Sequence, residues 1–387
     1  MRRKILTRFV SESLMRPFLF KILRCPACQG ALNVEAFVED RAREEVIDGV
    51  LTCGCGSSYP IVNTIPRMLP DAYELFPGFV ATYRARLVPR APAGGSCRAR
   101  TDLAPAIART RRSFGYQWTV FSEMSCDFTE NFWNYLSPAT PELLRGKVGL
   151  DVGCGFGRHL YHAAHHCAAV VGLDLSQAID SAHRNTRHFD NVHLVQGSIY
   201  ALPFAKSSFD VLYTIGVLHH LPDPARGIRN LLPLLCQSGV CFVWLYSKQR
   251  RVVNCLLECV RLVTTRLPHP LVWLLALLGA VIDQYVFIWP YRGLRRLPGL
   301  GLVIERLTPA RIKLYTTYPF QVIHADWFDR LAAPIRSYFD EDEVRELMIQ
   351  AGYVEVQVSP TGLYGWRACG IRHSGEPSPV SEVAVHG

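Results

Sequence analysis

The chain lacks an apolar run long enough to cross a bilayer. Leu271 to Ile282 is twelve residues long before Asp283 and Gln284 interrupt it, short of the roughly 20 that a spanning helix needs. No secretory signal is expected either, since Met1 to Arg24 carries arginines but no continuous apolar run long enough for one. Charge is sparse at 19% of residues, while nearly half are apolar, which excludes a disordered chain. The 13 cysteines lack the regular spacing of a disulfide scaffold, so reduced thiols and a cytoplasmic location are expected. A length of 387 residues allows two domains, or one with an appendage. The net charge of +9 raises nucleic acid or membrane as partners, and where the charge sits decides between them.

What is present is organised around one glycine-rich stretch. Val148 to Val152 reads as a short apolar strand, Gly153, Gly155 and Gly157 as a turn, and Arg158 to His166 as a helix. Alternate glycines let the backbone bend and approach a ligand, and the helix start offers free N–H groups to an anion. The dinucleotide fingerprint is not met because position 158 is arginine, so a smaller ligand without pyrophosphate suits the turn. A second strand ends at Asp174, where a strand–helix–strand unit places a carboxylate for ribose hydroxyls. Val192 to Ser198, Leu202-Pro203-Phe204, Ser208 to Tyr213 and Gly216 to Leu221 follow.

In this order and spacing, residues 148 to 246 resemble the core of the class I S-adenosylmethionine-dependent methyltransferases, nearest the small-molecule, type 11-like branch. The resemblance implies an α/β fold with a doubly wound, seven-stranded Rossmann-like sheet. It implies S-adenosyl-L-methionine as cofactor. Gly153, Gly155 and Gly157 would shape the pocket for its methionine part, with Asp151 toward the amino group. Asp174 would hold the ribose with Leu175 beside it, Ile199 would stack on the adenine, and Gly216 would close the substrate side. Ser198 stands where the family has an aspartate on the adenine amino group, and a hydroxyl accepts that bond more weakly. The Asn/Asp-Pro-Pro-Tyr/Phe tetrapeptide of amide and exocyclic-amine methyltransferases is absent. His219 or His220 is the candidate general base; the alternative is that one packs in the core and the other shapes the pocket. Methyl transfer held in line needs no base.

Near the start, Cys25 and Cys28 are followed about two dozen residues later by Cys53 and Cys55. Two such pairs suit a tetrahedral four-thiolate zinc site, closed and therefore structural. Leu51 to Leu69 resembles the second half of the Trm112-like zinc ribbon, a module that also serves as a docking surface, so a protein partner there is expected as an option. Upstream of the glycine turn, Phe114, Tyr116, Trp118 and Phe121 form an aromatic cluster. It reads either as a lid, with Tyr116 or Trp118 facing the sulfonium, or as core packing.

The expected organisation is an N-terminal segment over 1–88 with the ribbon at about 20–70, a linker over 89–110, and a methyltransferase domain over 111–246 and 314–373. An insert over 247–313 and a disordered tail over 374–387 complete it. The stretch 248–313 carries eleven Lys and Arg against three acids. Apolar faces flanked by arginine suit either a helical lid over a hydrophobic acceptor or a peripheral contact with the inner face of a membrane. The expected function is methyl transfer to a small or lipid-like acceptor. RNA is a rival acceptor, and a non-catalytic adaptor with a vestigial fold is a rival from another class.

Overall fold

The computed structural model describes residues 17–87, 103–362 and 365–373. The tail expected over 374–387 and most of the expected linker lie outside the described residues.

Four short antiparallel strands form the first sheet: β1 (Leu32–Asp40), β2 (Glu45–Cys53), β3 (Ser58–Val62) and β4 (Ile65–Pro66). The second sheet has seven strands: β5 (Val148–Val152), β6 (Ala169–Asp174), β7 (Val192–Gln196), β8 (Phe209–Ile215), β9 (Leu235–Tyr246), β10 (Tyr353–Pro360) and β11 (Gly365–Arg372). Their order is β10-β11-β9-β8-β5-β6-β7. The five from β9 to β7 are parallel, and β11 enters antiparallel to both β9 and β10. The seven-stranded α/β expectation therefore holds.

The helices that matter below are α1 (Ala104–Val120), α2 (Arg158–Ala164), α3 (Ala178–Thr186), α4 (Arg251–Thr264), α5 (His269–Ile282) and α6 (Phe320–Ala332). Helix α1 starts at Ala104, so the end of the expected linker is already helical.

Strand periodicity shows that both faces of the large sheet are covered. In β8, Leu212 belongs to one buried cluster while Val211, Tyr213 and Ile215 belong to another. In β9, Cys241, Val243 and Leu245 alternate in the same way with Phe242. The small sheet is not a tethered bead. Leu51, Tyr59, Ile61 and Met68 share one buried cluster with Val195, Ile199 and Phe204 of the large sheet and its loops. Arg67 fixes this junction. Its side chain is buried, ion-paired with Asp180 of α3 at 2.5 Å and hydrogen-bonded to Gln196 of β7 at 3.2 Å.

The insert departs from expectation in one respect. The apolar run does not stop at Asp283: α5 continues through a π-helical turn, Asp283–Ile288, into Trp289–Leu294. The result is a 26-residue helix with mean hydropathy 2.1, long and apolar enough by composition to cross a membrane. Asp283 is tolerated because Arg311 pairs with it and Trp327 Nε1 donates to it at 2.7 Å. Val272, Ala276 and Ala280 bury one stripe of this helix, with Phe328 and Leu331 of α6 against Val272 and Ala276.

Candidate active site

The glycine turn leaves β5 with Gly153 at φ +80° and Gly155 at φ +54°. These are left-handed conformations that strain any other residue. A Cβ at Gly153 would lie 2.3 Å from Val217, and one at Gly155 would lie 3.4 Å from the Trp118 indole. Gly157, also left-handed at φ +88°, serves packing as well, since its missing Cβ lets α2 lie against Ala182 of α3.

Asp174 ends β6 and organises the turn. Its Oδ2 accepts the Gly155 N–H at 2.9 Å, and its Oδ1 accepts both the N–H and the hydroxyl of Ser176 at 2.7 Å. Burial raises its pKa, opposed by those donors. A carboxylate has about four acceptor sites, so Oδ2 keeps one free. Asp151 lies behind the turn, 2% exposed, with Oδ2 lacking a partner. Burial, and then the charge of Asp174, push its carboxyl well above the ordinary range.

These groups open onto a cavity of about 410 Å³. One part is walled by Gly153, Gly155, Asp174, Leu175, Ser198, Ile199 and Gly216, with Trp118 over Gly155. A Cβ at Gly216 would meet nothing within 4 Å, so space continues past it. The Ser198 hydroxyl accepts the Tyr200 N–H at 3.2 Å. The remaining wall includes Phe114, His220, Tyr246, Asp329, Arg336 and Tyr338.

Four sequence-based candidates do not border the cavity: Asp151, Gly157, Tyr116 and His219. Tyr116 stacks on His269 at 5.0 Å and Phe328 at 5.6 Å, on the opposite side of α1 from Trp118. His219 is fully buried, stacks on Tyr246 at 3.8 Å, and has no partner for either ring nitrogen. Burial, then His220, drive its pKa well below the usual value.

His220 does border the cavity. Its Nδ1 lies 2.7 Å from the Ile335 carbonyl and its Nε2 lies 3.9 Å from Asp329. A carbonyl only accepts, so Nδ1 carries the proton and Nε2 keeps a lone pair. Burial pulls its pKa down to about 4. Asp329 accepts the Tyr246 hydroxyl at 2.9 Å. Burial opposes its charge, but His220, Arg336 and that hydroxyl outweigh it and hold the carboxyl below its ordinary value. Sequence reasoning missed Tyr246 and Arg336.

Away from the cavity, the sulfurs of Cys25, Cys28, Cys53 and Cys55 all lie within 4.8 Å of one another. Cys25 and Cys55 are 3.8 Å apart and Cys28 and Cys53 3.4 Å. A tetrahedral ion with bonds of about 2.3 Å places its thiolates at about this separation, so the donor set fits a four-cysteine metal site.

Residues 150–243 match a family model described as a methyltransferase domain. A tRNA U34 carboxymethyltransferase of Pseudoalteromonas translucida is 38% identical over 111 residues, covering 28% of this chain and 34% of that protein. A ubiquinone biosynthesis O-methyltransferase of Coxiella burnetii is 34% identical over 101 residues, covering 26% and 43%. The chain thus spans less than half the length of these curated relatives. Among solved structures, a SAM-dependent methyltransferase from Aquifex aeolicus aligns with a TM-score of 0.37 at 13% identity, over 65% of this chain and 97% of that one. Residues 150–243, which hold the glycine turn and the parallel strands β5 to β8, thus match a methyltransferase domain.

Proposed function

We propose that the chain transfers a methyl group from S-adenosylmethionine to a small, largely apolar acceptor. The observation that carries this reading is one cavity bordered both by the glycine turn with Asp174 and by an aromatic wall holding His220 and Asp329. The cofactor, when bound, supplies a methyl group on a positively charged sulfur. Gly153 and Gly155 let the backbone approach it, and Trp118 covers it with an aromatic face suited to a cation. Asp174 holds ribose through the free site on Oδ2, with the Ser176 hydroxyl giving way at Oδ1. Ile199 and Ser198 meet the adenine. Asp151 acts from behind the turn rather than by direct contact.

At the other wall, His220, Tyr246 and Asp329 would hold the acceptor atom in line with the methyl group that the bound cofactor would supply. For a hydroxyl or amine acceptor, the proton leaves to His220 Nε2 or to the Asp329 carboxylate. Most of the rate comes from alignment, since a base with a pKa of about 4 is weak.

We assign a structural zinc ion to the four cysteines, in a ribbon like the Trm112 family. The chain divides into that ribbon, a catalytic domain over 111–246 and 314–373, and a lid over 247–313. A protein partner at the ribbon would use the face not already packed on the catalytic domain. RNA remains the second acceptor class, favoured by the matched tRNA enzymes, and against it stands the apolar character of the insert. A non-catalytic adaptor is disfavoured by the intact glycine turn and Asp174.

The test is label transfer from methyl-labelled S-adenosylmethionine into cell extract, fractionated into lipid, small molecules, RNA and protein. Label in lipid or small molecules supports the proposal. Label in RNA alone overturns the acceptor, and no label from protein shown to bind the cofactor overturns the enzyme.

A further inference from the structure

Among the described residues, all the exposed large hydrophobic side chains except Val38, Val120 and Ile349 lie between Val252 and Leu314. They follow helical stripes. On α4 they include Val252, Leu256, Val260 and Val263, and on the long helix Leu271, Leu275, Leu278, Ile282, Tyr285 and Trp289. Spacings of three and four place each set on one face. The opposite stripe of the long helix is committed to the protein: a Cβ at Gly279 would lie 2.6 Å from Trp327, and Asp283 is paired. A helix held this way along its length cannot stand across a bilayer, but its outward stripe can lie in one.

Two observations identify what covers that stripe. The stretch 248–313 carries eleven Lys and Arg against three acids. Arg251, Arg266, Arg295, Arg296 and Arg306 are exposed near the helix ends, where they meet anionic headgroups while the stripes meet acyl chains. Tyr285 and Trp289 are half exposed, the side chains that favour a membrane–water interface. A second copy of this surface would bring like charges together. The apolar surface also runs into the cavity, for Val253 and Leu314 are both exposed and part of the cavity wall.

We propose that α4 and the long helix seat on an anionic lipid bilayer, and that the cavity receives from it an amphiphilic acceptor with a long apolar chain. The second half rests on the methyltransferase reading; the first does not.

The test is co-sedimentation of the full chain with vesicles of phosphatidylcholine alone or mixed with phosphatidylglycerol, at low and high salt. Cofactor binding by calorimetry is the folding control. Binding to the mixed vesicles is expected, weakened by salt. The double variant Leu271→Glu, Leu278→Glu should bind them at least about tenfold more weakly and bind cofactor as before. Arg295→Glu, Arg296→Glu should lose the preference for the anionic vesicles. No vesicle binding by the wild type overturns docking, as does an undiminished affinity of the leucine variant. A wild-type dimer made monomeric by the leucine substitutions, without vesicle binding, would assign the face to a second copy instead. Vesicle binding without any label transferred to lipid would leave docking standing and overturn delivery.

Discussion

Replacing His219 with leucine should leave the protein about as stable as before or more so, although the residue sits beside the cavity wall. Its two ring nitrogens are buried without partners, and unpaired buried polar atoms cost about 1–3 kcal/mol. The substitution also gives up the ring contact with Tyr246 at 3.8 Å, worth roughly 0.5–1.5 kcal/mol. Near neutral pH the balance therefore lies between a loss of about 0.5 and a gain of about 2.5 kcal/mol. The pH dependence sharpens the test. A histidine buried in the neutral form has a folded pKa below its unfolded value near 6.5. Between those values the unfolded chain binds a proton that the native chain does not, so stability falls as pH falls through that window. His220, with a pKa of about 4, accounts for roughly 3 kcal/mol of this loss, and His219, driven well below its usual value, adds to it. His219→Leu should therefore flatten the decline without abolishing it. Urea unfolding near pH 7.5 and near pH 5 measures both effects. A loss above about 2 kcal/mol near neutrality, with an unchanged acid decline, would refute the reasoning. Intact cofactor binding with abolished methyl transfer would show that His219 positions Tyr246 at the cavity wall.

Trp118→Ala uncovers Gly155 and should weaken S-adenosylmethionine binding about tenfold by calorimetry; unchanged affinity would remove its lid role. Purified protein should hold one zinc per chain, and Cys28→Ser should release it and lower the thermal midpoint of the whole chain, because the ribbon shares a buried cluster with the large sheet. Arg67→Met removes the guanidinium from Asp180, itself about a third exposed, and from the Gln196 side chain, and should cost about 1–3 kcal/mol in chemical unfolding; a cost within experimental error would mean the junction is held by apolar contacts alone. If His220 Nε2 takes the proton, kcat/KM should be flat across neutral pH and fall only as pH drops toward about 4, and an acid limb near the ordinary histidine value would exclude it.

What was legible in the sequence shares a physical cause with what was not. Gly153, Gly155 and Asp174 could be read because their task is local: a left-handed backbone and a carboxylate about twenty residues on are fixed within one strand–helix–strand unit. The far wall combines His220, Tyr246, Asp329 and Arg336, brought together only by tertiary packing, so no spacing rule announces it. Tyr116 and Trp118 illustrate the same limit within one helix. Two residues apart means about 200° around the axis, so only one can face the cavity. Which one does is set by distant bonds from Ser113 to the Ala332 carbonyl and from Gln117 to the Ala325 carbonyl. The ribbon carries the argument furthest. The resemblance of Leu51 to Leu69 runs through Cys53, Cys55, Gly56, Tyr59, Pro60, Pro66 and Met68, and Arg67 falls at a position it leaves free. Yet Arg67 ties the ribbon to Asp180 and Gln196. A residue outside the shared pattern thus joins the cysteine-bearing small sheet to the large one, and such a contact can be read only once both surfaces are in view.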